Sequence, residues 1–161
     1  MTSEHIRIDK ATMAEAPQIQ GLVSSFATIG EMLPRPLSEI YEHLRDFLVV
    51  REEQQVVACA ALHIMWEDLA EIRSLAVIEG NQEQGMGLLL VNACLAEARR
   101  LGIRTVFALT QQPAFFEKAG FHQADVMSLP RKVWGECFRC PKFPQCDETA
   151  MVIELGETSS S

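Results

Sequence analysis

Between an apolar stretch at residues 69–78 and a long periodic one at 86–101 lies a polar turn, Glu79-Gly-Asn-Gln-Glu-Gln-Gly-Met-Gly87. Glycine lets a backbone turn tightly and lets another group come close. The stretch before the turn reads as a strand. Its alternation predicts Glu71, Arg73, Leu75 and Val77 on one face and Ile72, Ala76 and Ile78 on the other. The stretch after it reads as a helix, with Arg99 and Arg100 in its last turn and Gly102 just beyond, a well-formed C-terminus. A strand that feeds a helix this way aims the first unpaired N–H groups, and the positive end of the helix dipole, out of the turn. Such a site suits a phosphate. A plain strand–helix connection bent by its glycines is the other reading the turn allows. The P-loop needs Gly-Lys-Ser/Thr, and Gly87 is followed by Leu88. The dinucleotide fingerprint G-x-G-x-x-G has a different spacing.

The rest of the chain supplies strands and helices for this unit to pack on. Residues 5–8 read as a first strand. Thr12-Met-Ala-Glu15 has capping-box spacing, so a helix starts there, carries Ile19, Leu22, Val23 and Phe26, and ends near Gly30. Leu33-Pro-Arg-Pro36 interrupts, because a residue before proline is pushed out of the helical region. Residues 38–47 read as a second helix with Ile40, Leu44 and Phe47 on one face. Strands at 47–50 and 56–66, joined by a charged turn, form an antiparallel hairpin. A strand at 104–109, a short helix from Pro113 to Ala119 closed by Gly120, and strands at 121–127 and 150–155 follow. Residues 130–149 read as a loop and 157–161 as a frayed tail. The order β-α-α-β-β-β-α-β-α-β-β over 161 residues is that of one α+β sheet domain with helices on both faces.

Charge narrows the function. Fourteen Lys and Arg against 22 Asp and Glu leave −8, so no basic face is on offer to nucleic acid. No apolar run reaches the roughly 18 residues of a membrane span, and the start lacks an apolar signal core. The expected location is the cytosol. Five cysteines, an odd number, do not make a disulfide framework there. Cys59 and Cys94 read as small buried hydrophobes. Cys137-x-x-Cys140-x5-Cys146 has zinc-ligand spacing in its first half, but only three cysteines are local. His122, Asp147 or Glu148 would have to complete the set, so no metal is expected to be required. Arg131, Lys132, Arg139 and Lys142 would lower the thiol pKa values and make the loop redox-sensitive.

Five segments occur in a telling order: Leu75-Ala-Val-Ile, Gln82-x-x-Gly85-x-Gly87, the helix ending Arg-Arg-Leu-Gly102, Val106-Phe-Ala-Leu, and Phe115-Phe-Glu-Lys-Ala-Gly-Phe121. The chain resembles the GNAT family of acetyl-CoA-dependent N-acetyltransferases over about residues 5–128. The resemblance implies a mixed, mostly antiparallel sheet with helices on both faces, and acetyl-CoA as co-substrate. It implies that residues 82–87 (Gln82, Glu83, Gln84, Gly85, Met86, Gly87) grip the pyrophosphate. It also implies that the edge of Leu75, Ala76 and Val77 binds the pantetheine arm, with Phe115 and Phe116 nearby. The 75–77 strand would splay from the 106–109 strand to admit the thioester. A narrower resemblance lies in Met32-Leu-Pro-Arg-Pro-Leu-Ser-Glu-Ile, Asp46-Phe-Leu-Val-Val, Val57-Ala-Cys-Ala-Ala-Leu, Leu129-Pro-Arg-Lys-Val-Trp and the cysteine tract. These are similar to the acetyltransferase domain of N-acetylglutamate synthases in their short, stand-alone form. The implied acceptor is the α-amine of L-glutamate, the first step of arginine biosynthesis.

Acetyl transfer needs a base for the ammonium, a donor for the oxyanion and help for the departing thiolate. Glu71 is the candidate base, or else a partner for Arg73. A backbone N–H at Leu75 is the implied oxyanion donor. Many GNAT enzymes carry a tyrosine acid in the helix before the Gly-Phe pair; that position here is Phe116, and the single tyrosine is Tyr41. Thr110 or water takes the acid's place, or the thiolate leaves unassisted. Two substrate carboxylates need cations, and Arg35, Arg73 and Lys132 are the candidates, with Arg35 and Lys132 favoured. Long family members carry an arginine after the Thr110 position, where this chain has Gln111-Gln-Pro. Three functions stay open: glutamate N-acetyltransferase, acetyltransferase for another small amine or protein N-terminus, and a non-catalytic coenzyme A- or zinc-binding module. A homodimer is the symmetric assembly the chain leaves open.

Overall fold

The computed structural model describes residues 7–28, 35–78, 85–125 and 149–156. Among these residues seven strands form one sheet in the order β1-β2-β3-β4-β5-β7-β6. They are β1 (Ile8–Lys10), β2 (Phe47–Glu52), β3 (Gln55–Trp66), β4 (Leu69–Val77), β5 (Thr105–Thr110), β6 (His122–Ala124) and β7 (Thr149–Glu154). All neighbours pair antiparallel except β4 and β5. The α+β class, the mixed sheet and the order of elements are those expected.

Among the described residues four α-helices cover the sheet: α1 (Ala16–Thr28), α2 (Leu37–Glu42), α3 (Met86–Leu101) and α4 (Pro113–Glu117). On one face α3 buries Met86, Leu90, Val91, Cys94, Leu95 and Ala98 against Ala58, Ala60 and Leu62 of β3. On the other, Ile19 and Val23 of α1 and Ile40 of α2 pack on Val49, Cys59, Ala61 and Ala76. Burial of such side chains contributes about 1.5–3 kcal/mol each. Entry to α1 is set by the predicted capping pair. Glu15 accepts from the Thr12 N–H at 2.9 Å and is clamped by Arg51, whose Nη1 also reaches Asp9 at 2.9 Å. Among the described residues no helix is long and apolar enough to cross a membrane.

Three expectations need correction. The first strand lies at Ile8–Lys10; residues 1–6 are outside the described residues. The helix expected over 38–47 stops at Glu42. His43 leaves helical geometry (φ −113°, ψ 25°), and a separate 3-10 turn follows at Leu44–Asp46. The third correction concerns β4. Its register against β3 shifts between Cys59 and Ala61, so two β4 residues, Ser74 and Leu75, stand where β3 offers only Ala60. Ser74 takes a left-handed φ of 58° to make this bulge. A bulge reverses the in–out alternation beyond it. Glu71 and Arg73 therefore face the α1–α2 side, while Leu75 and Val77 face the α3 side with Ile72. The simple alternation, which put all four on one face, fails at Ser74.

Candidate active site

The ladder between β4 and β5 is short. It runs Leu69↔Thr105, Ala70↔Val106, Glu71↔Phe107 and stops, although β4 continues to Val77 and β5 to Thr110. β5 pairs with β7 all the way to Thr110. The sheet is thus split along β4, as the predicted splay requires, and the bulge lies on the split.

On the α3 side of the split stands the glycine turn's end. Gly85 opens α3 in the left-handed region, φ 77°, ψ 10°, with no side chain capping the helix. The first helical bond is Leu89 N–H to the Gly85 carbonyl, at 3.1 Å. The N–H groups of Met86, Gly87 and Leu88 are therefore without intrahelical acceptors, as in any helix start. Gly87 has a different task. A β-carbon there would meet Phe115 Cζ at 3.2 Å and Val77 Cγ2 at 3.9 Å, so its lack of a side chain lets α3 lie close to β4 and α4. Phe115 in turn stacks edge-on against Phe116 at 5.2 Å, and Phe116 against Phe121. Phe116 is buried in this aromatic column, where a tyrosine hydroxyl would need a partner. Thr110 ends β5, and its Oγ1 accepts from the Gln112 N–H at 2.8 Å, which leaves the hydroxyl proton to donate elsewhere. Gln82, Glu83 and Gln84 lie outside the described residues, as do Lys132 and Cys137, Cys140 and Cys146.

On the opposite side is a small, half-open cleft with about 20 Å³ of free volume. Arg35, Glu39, His43 and Asp46 line it from α2 and its flanks, His63 from β3, and Arg73 and Ser74 from β4. Arg35 Nη1 donates to Glu39 at 2.8 Å, one helical turn on. Arg73 Nη2 and Nε both donate to Glu71 Oε1, at 2.8 and 3.1 Å. Both members of that pair are nearly buried, so the carboxylate and guanidinium hold each other in place. His63 stands opposite Glu71 across the β3–β4 ladder, and its Nδ1 lies 2.9 Å from Asp46 Oδ2. Arg35, Glu71 and Arg73, named from sequence, are thus brought together. His43, Asp46, His63 and Ser74 were not foreseen. No motif marks them; only the break of the second helix and the bulge bring them into the cleft.

The two buried thiols take no part. Burial pushes Cys59 and Cys94 up to about 12.

A model of the acetyltransferase (GNAT) family matches residues 19–121. The chain belongs to the GNAT family. It is 39% identical over 148 residues to an uncharacterized N-acetyltransferase of Chlorobaculum tepidum, covering 92% of this chain and 96% of that one. It is 33% identical over 136 residues to an amino-acid acetyltransferase of Mycobacterium tuberculosis, covering 82% and 77%. The fold superposes on N-acetylglutamate synthase from Neisseria gonorrhoeae, complexed with coenzyme A and N-acetyl-glutamate, with a TM-score of 0.86 and 25% identity. That match covers 94% of this chain but 35% of the synthase. This GNAT protein is an acetyl-CoA-dependent N-acetyltransferase with relatives among the amino-acid acetyltransferases.

Proposed function

We propose that this enzyme transfers the acetyl group of acetyl-CoA to the α-amine of L-glutamate. The observation that carries the reading is the sidedness of β4. Across the bulge at Ser74, Arg73 lines the cleft with Glu71 held against it, while Leu75 and Val77 turn toward the α3 side. An acceptor in the cleft and a thioester arriving from the α3 side meet at the split between β4 and β5. The turn before α3 holds the pyrophosphate on its N–H groups, and the unladdered edge of β4 aligns the pantetheine arm.

In this arrangement Glu71 removes the proton from the acceptor ammonium, directly or through a water, and the freed amine attacks the thioester carbonyl. The N–H of Leu75, in the bulge, donates to the oxyanion as it forms. One such preorganised donor is worth about 2.7–4 kcal/mol of barrier. Thr110 supplies a proton to the departing thiolate. Arg35 and Arg73 hold the acceptor's carboxylates, and Lys132 is the third cation of the proposal. The relatives named amino-acid acetyltransferase support an amino acid as acceptor. The test is acetyl-CoA-dependent thiol release with glutamate, glutamine and aspartate. Glutamate should give the highest kcat/KM, because glutamine lacks one charge and aspartate one methylene. Equal use of glutamine would remove the glutamate assignment and leave the acetyltransferase intact.

A further inference from the structure

The side chains of His43, Asp46 and His63 converge at the α2 end of the cleft, and nothing in the chemistry above uses them. His43 Nδ1 and His63 Nδ1 lie 4.0 and 2.9 Å from the same oxygen, Asp46 Oδ2. One donor atom from each of the three residues falls within 4.8 Å of the others. The backbone explains the convergence. His43 breaks α2, and the 3-10 turn that follows carries Asp46 three residues later, a spacing that eclipses side chains in that geometry. His63 is held in β3 by its ladder with β4, opposite Glu71. The rings of His43 and His63 stand edge to face at 5.2 Å, so neither blocks the other's nitrogen.

We propose that these three residues form a binding site for a divalent transition-metal ion, with Zn2+ as the probe. Two imidazoles and one carboxylate are the donor set of borderline ions such as zinc, not of calcium or magnesium, which take oxygen. Tetrahedral zinc with bonds near 2.0–2.1 Å places its ligands about 3.3 Å apart. The observed separations of 2.9 and 4.0 Å bracket that value, and His43, with 44% of its side chain exposed, has room to swing. Two neutral imidazoles and Asp46 carry −1, which a dication overcompensates. The nearby guanidiniums of Arg35 and Arg73 are each paired with a carboxylate, Glu39 and Glu71, which blunts their repulsion. The ion is not a catalytic partner here. It occupies the lip of the acceptor cleft, ties α2 to β3 and raises the KM for the acceptor without touching acetyl-CoA binding.

The test is isothermal titration of Zn2+ into the tag-free full chain and into H43Q and H63Q. The wild type should bind one equivalent that each variant weakens at least about tenfold, the scale seen when the surroundings of a metal ligand are disturbed. Co2+ should give visible d–d bands that both variants lose, with no thiolate charge-transfer band from them, which separates this site from Cys137, Cys140 and Cys146. Wild type and both variants titrating alike, or a Co2+ spectrum made only of thiolate charge transfer, would overturn the proposal. Kinetics with glutamate supply a third arm: Zn2+ should raise its KM in the wild type and not in H43Q. That arm rests on glutamate being an acceptor; the binding arms do not, so the two readings can fail separately.

Discussion

Glu15 shows how one side chain couples local and long-range structure. It caps the entry to α1 through Thr12 and clamps Arg51 of β2, so it ties a helix to a strand 36 residues away. The Arg51 guanidinium, outweighing desolvation, holds its carboxyl below the usual range. A carboxyl depressed in the folded state stabilises above its unfolded pKa, and that stability is lost as pH falls through the folded value. Glu15→Gln should therefore cost about 1–3 kcal/mol at neutral pH. Denaturant melts of both proteins should converge as the pH is lowered below about 4. A second residue-scale expectation concerns the thiols. Cys59 and Cys94, raised to about 12 by burial, should resist iodoacetamide at pH 8 in the native protein and react only when it is unfolded. Mass mapping of the alkylated peptides reads this directly. At this scale the sequence spoke clearly: the Thr12–Glu15 spacing and the apolar surroundings of both cysteines were visible in the chain. Arg35 was named from its family-like segment, and Glu71 and Arg73 from their place on one strand. His43, Asp46 and His63 were not, because no spacing rule connects positions that meet only across a turn and a ladder.

Among the elements, the periodic ones were legible and the departures from periodicity were not. The helix from Met86 to Leu101, with its Arg99–Arg100 end and its Gly102 cap at φ 83°, follows from pattern and capping chemistry alone. The β4 bulge leaves no such trace. Serine is neither a glycine nor a proline, yet Ser74 adopts φ 58°, and the face assignments of Leu75, Ala76 and Val77 reverse. Likewise nothing between 38 and 47 forbids a continuous helix; the chain breaks at His43, and Ile40, Leu44 and Phe47 are buried in one cluster with Ile19 and Val23 of α1. The glycine turn divides its labour between two positions. Gly85 needs its left-handed backbone, and no atom crowds its missing β-carbon. Gly85→Ala should cost about 1–2 kcal/mol through backbone strain alone, read as a lowered melting midpoint. Acetyl-CoA affinity should fall with it, since the turn's N–H groups move. Gly87→Ala should act differently: its β-carbon presses on Phe115, so the aromatic column must shift by a few tenths of an ångström.

For the whole molecule, the proposed reaction brings its two substrates together from opposite sides of the sheet. The fold class and the split between β4 and β5 were expected from the order of elements and the family resemblance. The division of β4 into a cleft-facing half and an α3-facing half emerged only with the bulge. Its consequence is separability: a change in the cleft should leave acetyl-CoA alone. Arg35 is the place to ask, because its side chain lies in the cleft, nearly buried, and it lies outside β4 and α3. The deciding measurement is steady-state kinetics of wild type and Arg35→Ala with acetyl-CoA and L-glutamate each varied. Losing one charge-assisted contact of about 1.5–3 kcal/mol should lower kcat/KM for glutamate roughly ten- to a hundredfold and leave the KM for acetyl-CoA within about twofold. A variant that keeps wild-type kcat/KM for glutamate, or whose KM for acetyl-CoA rises in step, would contradict the two-sided account.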